Sequence, residues 1–307
     1  MDGRQRQQLA RRCRAVEWDV DMGTYSTLRT GGRAAALVRV ENKEELRSVV
    51  QWLNQQKLPW QPLGGGSNIL VASDPFPGVF VKLAGCFTGL ELMEHTEQQK
   101  RVKVGAGCRL AQLIAFCRQE SLTGMEWATG IPGTVGGAIL MNAGAHGGQV
   151  ADCLHAVTVF TQAGKEQELA AEELSFGYRK TVFPGRGLES MALIVNATCT
   201  FHPGDTQVIE QRCRECSGWR RQHQPLGKGS AGSFFKNPPG DAAGRLIEAA
   251  GLKGTQIGGA LVSEQHANFI VNTGTATPRD IVALKELVQQ RVEEQFGILL
   301  EPEVHIY

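Results

Sequence analysis

The segment Ser230-Ala231-Gly232-Ser233-Phe234-Phe235-Lys236-Asn237-Pro238 places a hydroxyl after a glycine and before two aromatic rings, a cation and an amide. Such a serine suits a shielded proton donor, and a turn or helix-capping serine fits the same composition. Tyr178-Arg179-Lys180-Thr181-Val182-Phe183 sets an arginine between aromatics. A guanidinium there can clamp a carboxylate with two parallel hydrogen bonds, or pack its stem on Phe183 as a solvated surface group. Leu300-Glu301-Pro302-Glu303-Val304-His305 brings two carboxylates into an apolar, strand-like tail. Alternation puts Glu301 and Glu303 on one face and Leu300, Pro302 and Val304 on the other, a pattern that also describes a solvated edge strand.

Two glycine clusters complete the chemistry-bearing set: Gly64, Gly65, Gly66, Ser67 and Asn68, then Thr129, Gly130, Ile131, Pro132, Gly133, Thr134, Val135, Gly136, Gly137 and Ala138. Asn142-Ala143-Gly144 follows closely. Loops without Cβ atoms let backbone N–H groups approach an anion, usually a phosphate; a pair of tight turns is the plainer account. Neither familiar nucleotide fingerprint is present. Gly227-Lys228 runs into Gly229, and Gly164-Lys165 into Glu166, instead of Ser or Thr, which excludes a P-loop. Gly105-Ala106-Gly107 has Leu110 where a Rossmann motif needs its third glycine. Two loops gripping opposite sides of one long dinucleotide point instead to flavin adenine dinucleotide.

Elements must hold these loops. Asn42 caps an expected helix over 43–56, with Leu46, Val49, Val50 and Leu53 on one face and Pro59 and Pro62 ending it. Strands are expected at 69–71, 79–83, 101–104, 156–160 and 193–201, and a helix over 110–117. After Pro203 the pattern becomes helices at 206–221, 241–250 and 279–296 around a short strand at 268–272. The chain thus divides into α/β subdomains at 20–84 and 85–203 and an α+β domain at 204–307. No repeat or low-complexity segment interrupts it.

Composition narrows the class. With 307 residues, 42% of them hydrophobic, the chain can bury substantial cores. A formal charge of +1 offers no general field for nucleic acid or an anionic membrane. Met1–Arg14 is polar and basic without an apolar core, and no apolar run reaches spanning length, so a cytoplasmic chain with no membrane insertion is expected. The eight cysteines read as reduced thiols, and Cys213 and Cys216 as neighbours one helical turn apart with no metal implied.

In order along the chain, Thr27-Leu28-Arg29-Thr30-Gly31-Gly32, the two glycine clusters, Asn142-Ala143-Gly144, Tyr178-Arg179, Gly232-Ser233-Phe234-Phe235-Lys236-Asn237-Pro238 and Glu301-Pro302-Glu303-Val304 closely resemble the UDP-N-acetylenolpyruvoylglucosamine reductases, from about residue 20 onward. The resemblance implies an α+β protein: an FAD-binding fold of the vanillyl-alcohol oxidase type with a C-terminal substrate domain. It further implies that NADPH reduces non-covalently bound FAD, which then reduces an enolpyruvyl ether to a lactyl ether in peptidoglycan precursor synthesis. Carried over residue by residue, Ser233 protonates the carbon beside the carboxylate, Arg179 holds the developing enolate and Glu303 assists that intermediate. Lys236 and Asn237 contact the substrate diphosphate and Tyr178 lines the same pocket. The spacing after Tyr178-Arg179 resembles the shorter form of the enzyme, which lacks a long tyrosine-bearing loop.

Three positions depart from the family's usual residues: Thr181 for serine, His223 for lysine and His305 for arginine. Two other classes compete with the reductase. An oxidase of the same fold would consume oxygen and could tether its flavin through His146 or a loop cysteine, and a nucleotide-binding module that has lost catalysis need not keep Arg179, Ser233 and Glu303 together.

Overall fold

Local signals start most of the helices. The Asn42 side chain accepts the Glu45 N–H at 2.9 Å, and the helix Lys43–Gln55 buries Leu46, Val49, Val50 and Leu53. Thr277 and Asp280 form a reciprocal capping box ahead of Pro278–Phe296, which stops at left-handed Gly297. In the computed structural model, residues 1–161, 164–184 and 191–307 are described, and they form two units.

The first unit comprises Met1–Trp18, Ala36–Gly65 and Pro77–Gly218. A four-stranded sheet runs in the order Ala15–Asp21, Arg33–Val40, Phe76–Leu83, Trp60–Leu63, the last pair parallel. A six-stranded sheet is built around the long strand Met191–Pro203, which lies antiparallel to Leu154–Thr161 on one side and Lys100–Gly105 on the other. Val102, Val104, Val157, Val159, Val195 and Phe201 bury the face of that sheet in one continuous apolar cluster with the Lys43–Gln55 and Leu110–Gln119 helices.

The second unit comprises Asp19–Ala35, Gly66–Phe76 and Trp219–Tyr307. Its antiparallel sheet has the order Gly229–Ser230, Ile270–Asn272, Ala260–Val262, Gln256–Ile257. The helices Ala243–Ala249 and Pro278–Phe296 cover it with Leu246, Ile247, Ile281, Leu284 and Val288. Ile69–Leu70 pairs in parallel with His305–Ile306.

The expected helices and the longer strands are present within a few residues of their expected limits. Ala15–Asp21, Arg33–Val40 and Leu90–His95 were not anticipated, and Trp60–Leu63 carries Pro62 as an edge strand where only a helix stop was read. In the tail, Leu300 and Val304 are buried as alternation requires, but Glu301 and Glu303 do not share one environment. Glu301 has 70% of its side chain exposed, whereas Oε2 of Glu303 is buried. A single bridge, Phe235 to Pro302, replaces regular strand pairing there, so alternation does not hold.

Candidate active site

Gly64 and Gly65 of the first glycine cluster meet the second cluster within the first unit. A Cβ on Gly64 would lie 2.7 Å from Thr134 Oγ1, and one on Gly65 would lie 2.8 Å from the Cα of Gly133. Only bare backbone fits at that approach. The N–H groups of Gly64, Gly65, Gly130 and Gly133 donate to no acceptor among the described residues. Thr129 Oγ1, in the same loop, is buried and meets no hydrogen-bond partner among the described residues. A buried hydroxyl left in that state costs about 1–3 kcal/mol, so the loop is shaped for a polar group that the polypeptide does not supply. The rest of the second cluster is occupied with its own fold. Thr134 caps Val135–Leu140 by accepting from Gly137 N–H, and Gly136 donates to Ala106 O at 2.9 Å, where a Cβ would meet Ala106. Ile131 N–H and Ala138 N–H likewise donate to Ala128 O and Thr134 O.

Arg179 also belongs to the first unit. It sits with Tyr178 in the two-residue turn between Ser175–Gly177 and Lys180–Val182, at φ 57°. Its Nη1 donates to Gly144 O at 2.9 Å and its Cζ lies 5.3 Å from the Tyr178 ring centre. Asn142, itself 3% exposed, donates to Gly177 O and Gln149 Oε1 and accepts Ala151 N–H. The Asn142-Ala143-Gly144 segment therefore orients the arginine. The Thr181 hydroxyl is spent on Ile139 O, so the threonine at this position anchors the hairpin instead of facing a ligand.

Ser233 and Glu303 lie in the second unit on segments that the backbone ties together. Glu303 N–H donates to Phe234 O at 2.8 Å and Lys236 N–H to Glu301 O at 2.8 Å. Ser233 is half-buried, and its hydroxyl makes no hydrogen bond among the described residues. Asn68 joins the same group: its Nδ2 donates to Glu303 O at 3.0 Å, and its own carbonyl accepts His305 N–H. Lys236 is ion-paired with Glu301, and the Asn237 side-chain oxygen accepts Ala243 N–H at 3.0 Å. The first glycine cluster is shared between units, with Gly66, Ser67 and Asn68 falling in the second.

Asn268 is the residue that sequence reasoning missed. It is 3% exposed; its Oδ1 accepts Phe235 N–H at 2.9 Å, its Nδ2 donates to Phe235 O at 2.8 Å, and its carbonyl accepts Phe234 N–H at 2.7 Å. The available signal was an amide inside the apolar run Ala267 to Val271, which must find partners once buried. Of the departing residues, His223 stacks on Trp219 with ring centres 4.4 Å apart. His305 lies in the Asn68-bonded tail, and desolvation followed by the Lys236 charge pushes its imidazole below the ordinary histidine value. All eight cysteines are free thiols, and no group able to hold a metal ion occurs among the described residues.

Comparison with known proteins adds to this geometry. A model described as FAD binding domain matches residues 34–170, and one described as UDP-N-acetylenolpyruvoylglucosamine reductase, C-terminal domain, matches 224–307. The chain is 41% identical over 283 residues to UDP-N-acetylenolpyruvoylglucosamine reductase 2 of Symbiobacterium thermophilum, covering 92% of this chain and 89% of that protein. It is 41% identical over 289 residues to the Geobacter sulfurreducens reductase, covering 94% and 93%. The crystal structure of the Thermus caldophilus reductase superposes with a TM-score of 0.79 at 38% identity, covering 95% of this chain and 99% of that one. The open amides and the orphaned Thr129 hydroxyl fall inside the FAD-binding match and fit such a cofactor.

Proposed function

The chain belongs to the UDP-N-acetylenolpyruvoylglucosamine reductase family, and on that premise we propose how its own residues divide the reaction. It is an FAD-dependent oxidoreductase of peptidoglycan precursor synthesis that reduces the enolpyruvyl ether of UDP-N-acetylglucosamine enolpyruvate. FAD, when bound, supplies hydride to the enolpyruvyl group, with NADPH as the source of electrons.

Thr129 Oγ1 and the open N–H groups of Gly64, Gly65, Gly130 and Gly133 hold the cofactor's pyrophosphate. Once hydride has reached the terminal carbon of the enolpyruvyl group, charge spreads over the neighbouring carbon and the carboxylate. Arg179, oriented by Gly144, stabilises that enolate through its guanidinium. Ser233 gives its proton to the carbon beside the carboxylate, completing the lactyl ether, and Glu303 assists from the paired segment. Lys236 and Asn237 meet the substrate diphosphate, which requires Lys236 to trade its Glu301 partner for a phosphate oxygen. By sequence order we assign FAD binding to residues 20–84 and 85–203 and substrate binding to 204–307, as a division of roles and not of independently folding pieces.

The observation that carries this reading is the uncommitted Ser233 hydroxyl, one residue from the backbone bond that ties Phe234 to Glu303. An anaerobic titration tests the function. NADPH should bleach the flavin, and UDP-N-acetylglucosamine enolpyruvate alone should restore its colour. Bleaching by a free alcohol, with none by NADPH, would instead identify an oxidase.

A further inference from the structure

A cavity of about 770 Å³ opens in the second unit between the 21–31 turn and the Gly227–Ser230 segment. The 21–31 wall lies outside both family matches, and the opposite wall carries the Gly227-Lys228 pair that the P-loop argument discarded. Asp21, Thr27, Arg29, Thr30, Lys228 and Ser230 are among its lining residues.

The walls are tightly fixed. Arg29 stands at φ 55°, a left-handed conformation that costs a residue with a Cβ on the order of 1 kcal/mol and persists only where neighbours enforce it. Buried Asn272 enforces it by donating to Leu28 O at 2.9 Å and Arg29 O at 3.2 Å, while Arg29 N–H donates to Ser26 O at 3.0 Å. Across the cavity, Ser230 N–H donates to Thr27 O at 3.0 Å and Thr27 Oγ1 to Ser230 O at 2.6 Å. These bonds set the separation of the Arg29 and Lys228 segments. Yet neither cation enters an ion pair or a side-chain hydrogen bond among the described residues, and the Thr30 and Ser230 hydroxyls are equally uncommitted. The single carboxylate, Asp21, is engaged with Gly23 N–H at 2.9 Å.

We propose that this cavity is a binding site for a phosphate-bearing anion, which Arg29 grips through its guanidinium fork and Lys228 holds as a point charge. A planar fork matches two phosphate oxygens, and the Thr30 and Ser230 hydroxyls donate to the others. The volume is that of a small-molecule site, so a nucleotide phosphate fits as well as a bare one. Binding is read without turnover, so the proposal stands or falls separately from the roles of Ser233, Arg179 and Glu303.

Calorimetric titration of the FAD-loaded protein with UDP, with 2′,5′-ADP and with inorganic pyrophosphate distinguishes the sources of the phosphate. At least one probe should bind, and the Arg29→Gln/Lys228→Gln double variant should weaken that probe by about tenfold or more while Lys103→Gln, on an exposed strand position, leaves it unchanged. The probe that loses affinity names the ligand's source. Lys228→Gln alone, at an exposed position, gives the same reading in smaller measure should the double variant melt early. Equal affinity of the double variant and the parent for every probe overturns the proposal, as does failure of all three to bind the parent at about 5 mM.

Discussion

At the scale of single residues, the site contrasts groups already used by the fold with groups held in reserve. Thr181, Asn237 and Thr134 spend side-chain oxygens on backbone partners, whereas the buried Thr129 Oγ1 and the Ser233 hydroxyl have none among the described residues. Thr129→Val removes a polar atom that the apoprotein does not satisfy. Its melting temperature without FAD should therefore equal or exceed the parent's, while FAD affinity, measured by flavin fluorescence, falls about tenfold as one hydrogen bond is lost. Arg179→Lys keeps a charge but loses the fork that donates to Gly144 O and, in the proposed function, also meets the substrate. Stopped-flow turnover should drop about 100-fold or more with the flavin spectrum unaltered. Sequence marked these residues by type and order. The family motif singled out Glu303 over Glu301, but it could not mark which hydroxyl would lack a partner, nor that Glu303 Oε2 is buried while Glu301 is exposed, because burial depends on the Phe235–Pro302 bridge between segments far apart in the chain.

Elements place these residues through short, irregular connections more than through regular strands. Asn268 clamps both polar groups of Phe235 and accepts from Phe234, so it fixes the backbone next to Ser233, whose Phe234 carbonyl in turn accepts Glu303 N–H. Asn268→Ala should cost about 2–5 kcal/mol in urea denaturation, since two buried backbone groups lose their partners. The neighbouring His266 sets a pH dependence. Its Nδ1 accepts Asn268 N–H at 3.2 Å, and burial, reinforced by Lys253 and His223 and opposed by Glu248, pushes the imidazole below the ordinary histidine value. The folded state thus favours neutral His266, whose contribution is complete above about pH 6.5 and is lost as pH falls through the lowered value. Melting temperature should decline between about pH 7 and 5, and less steeply in His266→Gln; equal slopes would remove His266 from the account. The cap at Asn42 was legible because its partner lies three residues away. Trp60–Leu63 and Gly229–Ser230 were not, because short strands acquire their identity from a partner distant in sequence.

Across the whole molecule, linear order and packing diverge. The second apolar core, mostly from residues beyond 230, also takes Leu28 and Leu70. A fragment spanning 204–307 would lack both and should show no cooperative melting; a sharp transition would favour the linear division. FAD at about 100 times its dissociation constant should stabilise the full chain by about 2.7 kcal/mol, as ligand linkage requires. The ordered motifs made the family and its FAD-binding fold readable, while the discontinuous second unit was hidden because no local pattern announces that Asp19–Ala35 packs with Trp219–Tyr307. The central claim, that Ser233 supplies the proton completing reduction, is tested by anaerobic stopped-flow on Ser233→Ala. Bleaching of its flavin by NADPH should match the parent, and reoxidation by UDP-N-acetylglucosamine enolpyruvate should slow by about 10²–10⁴-fold. An unchanged reoxidation rate, or equal slowing of both half-reactions, would contradict it.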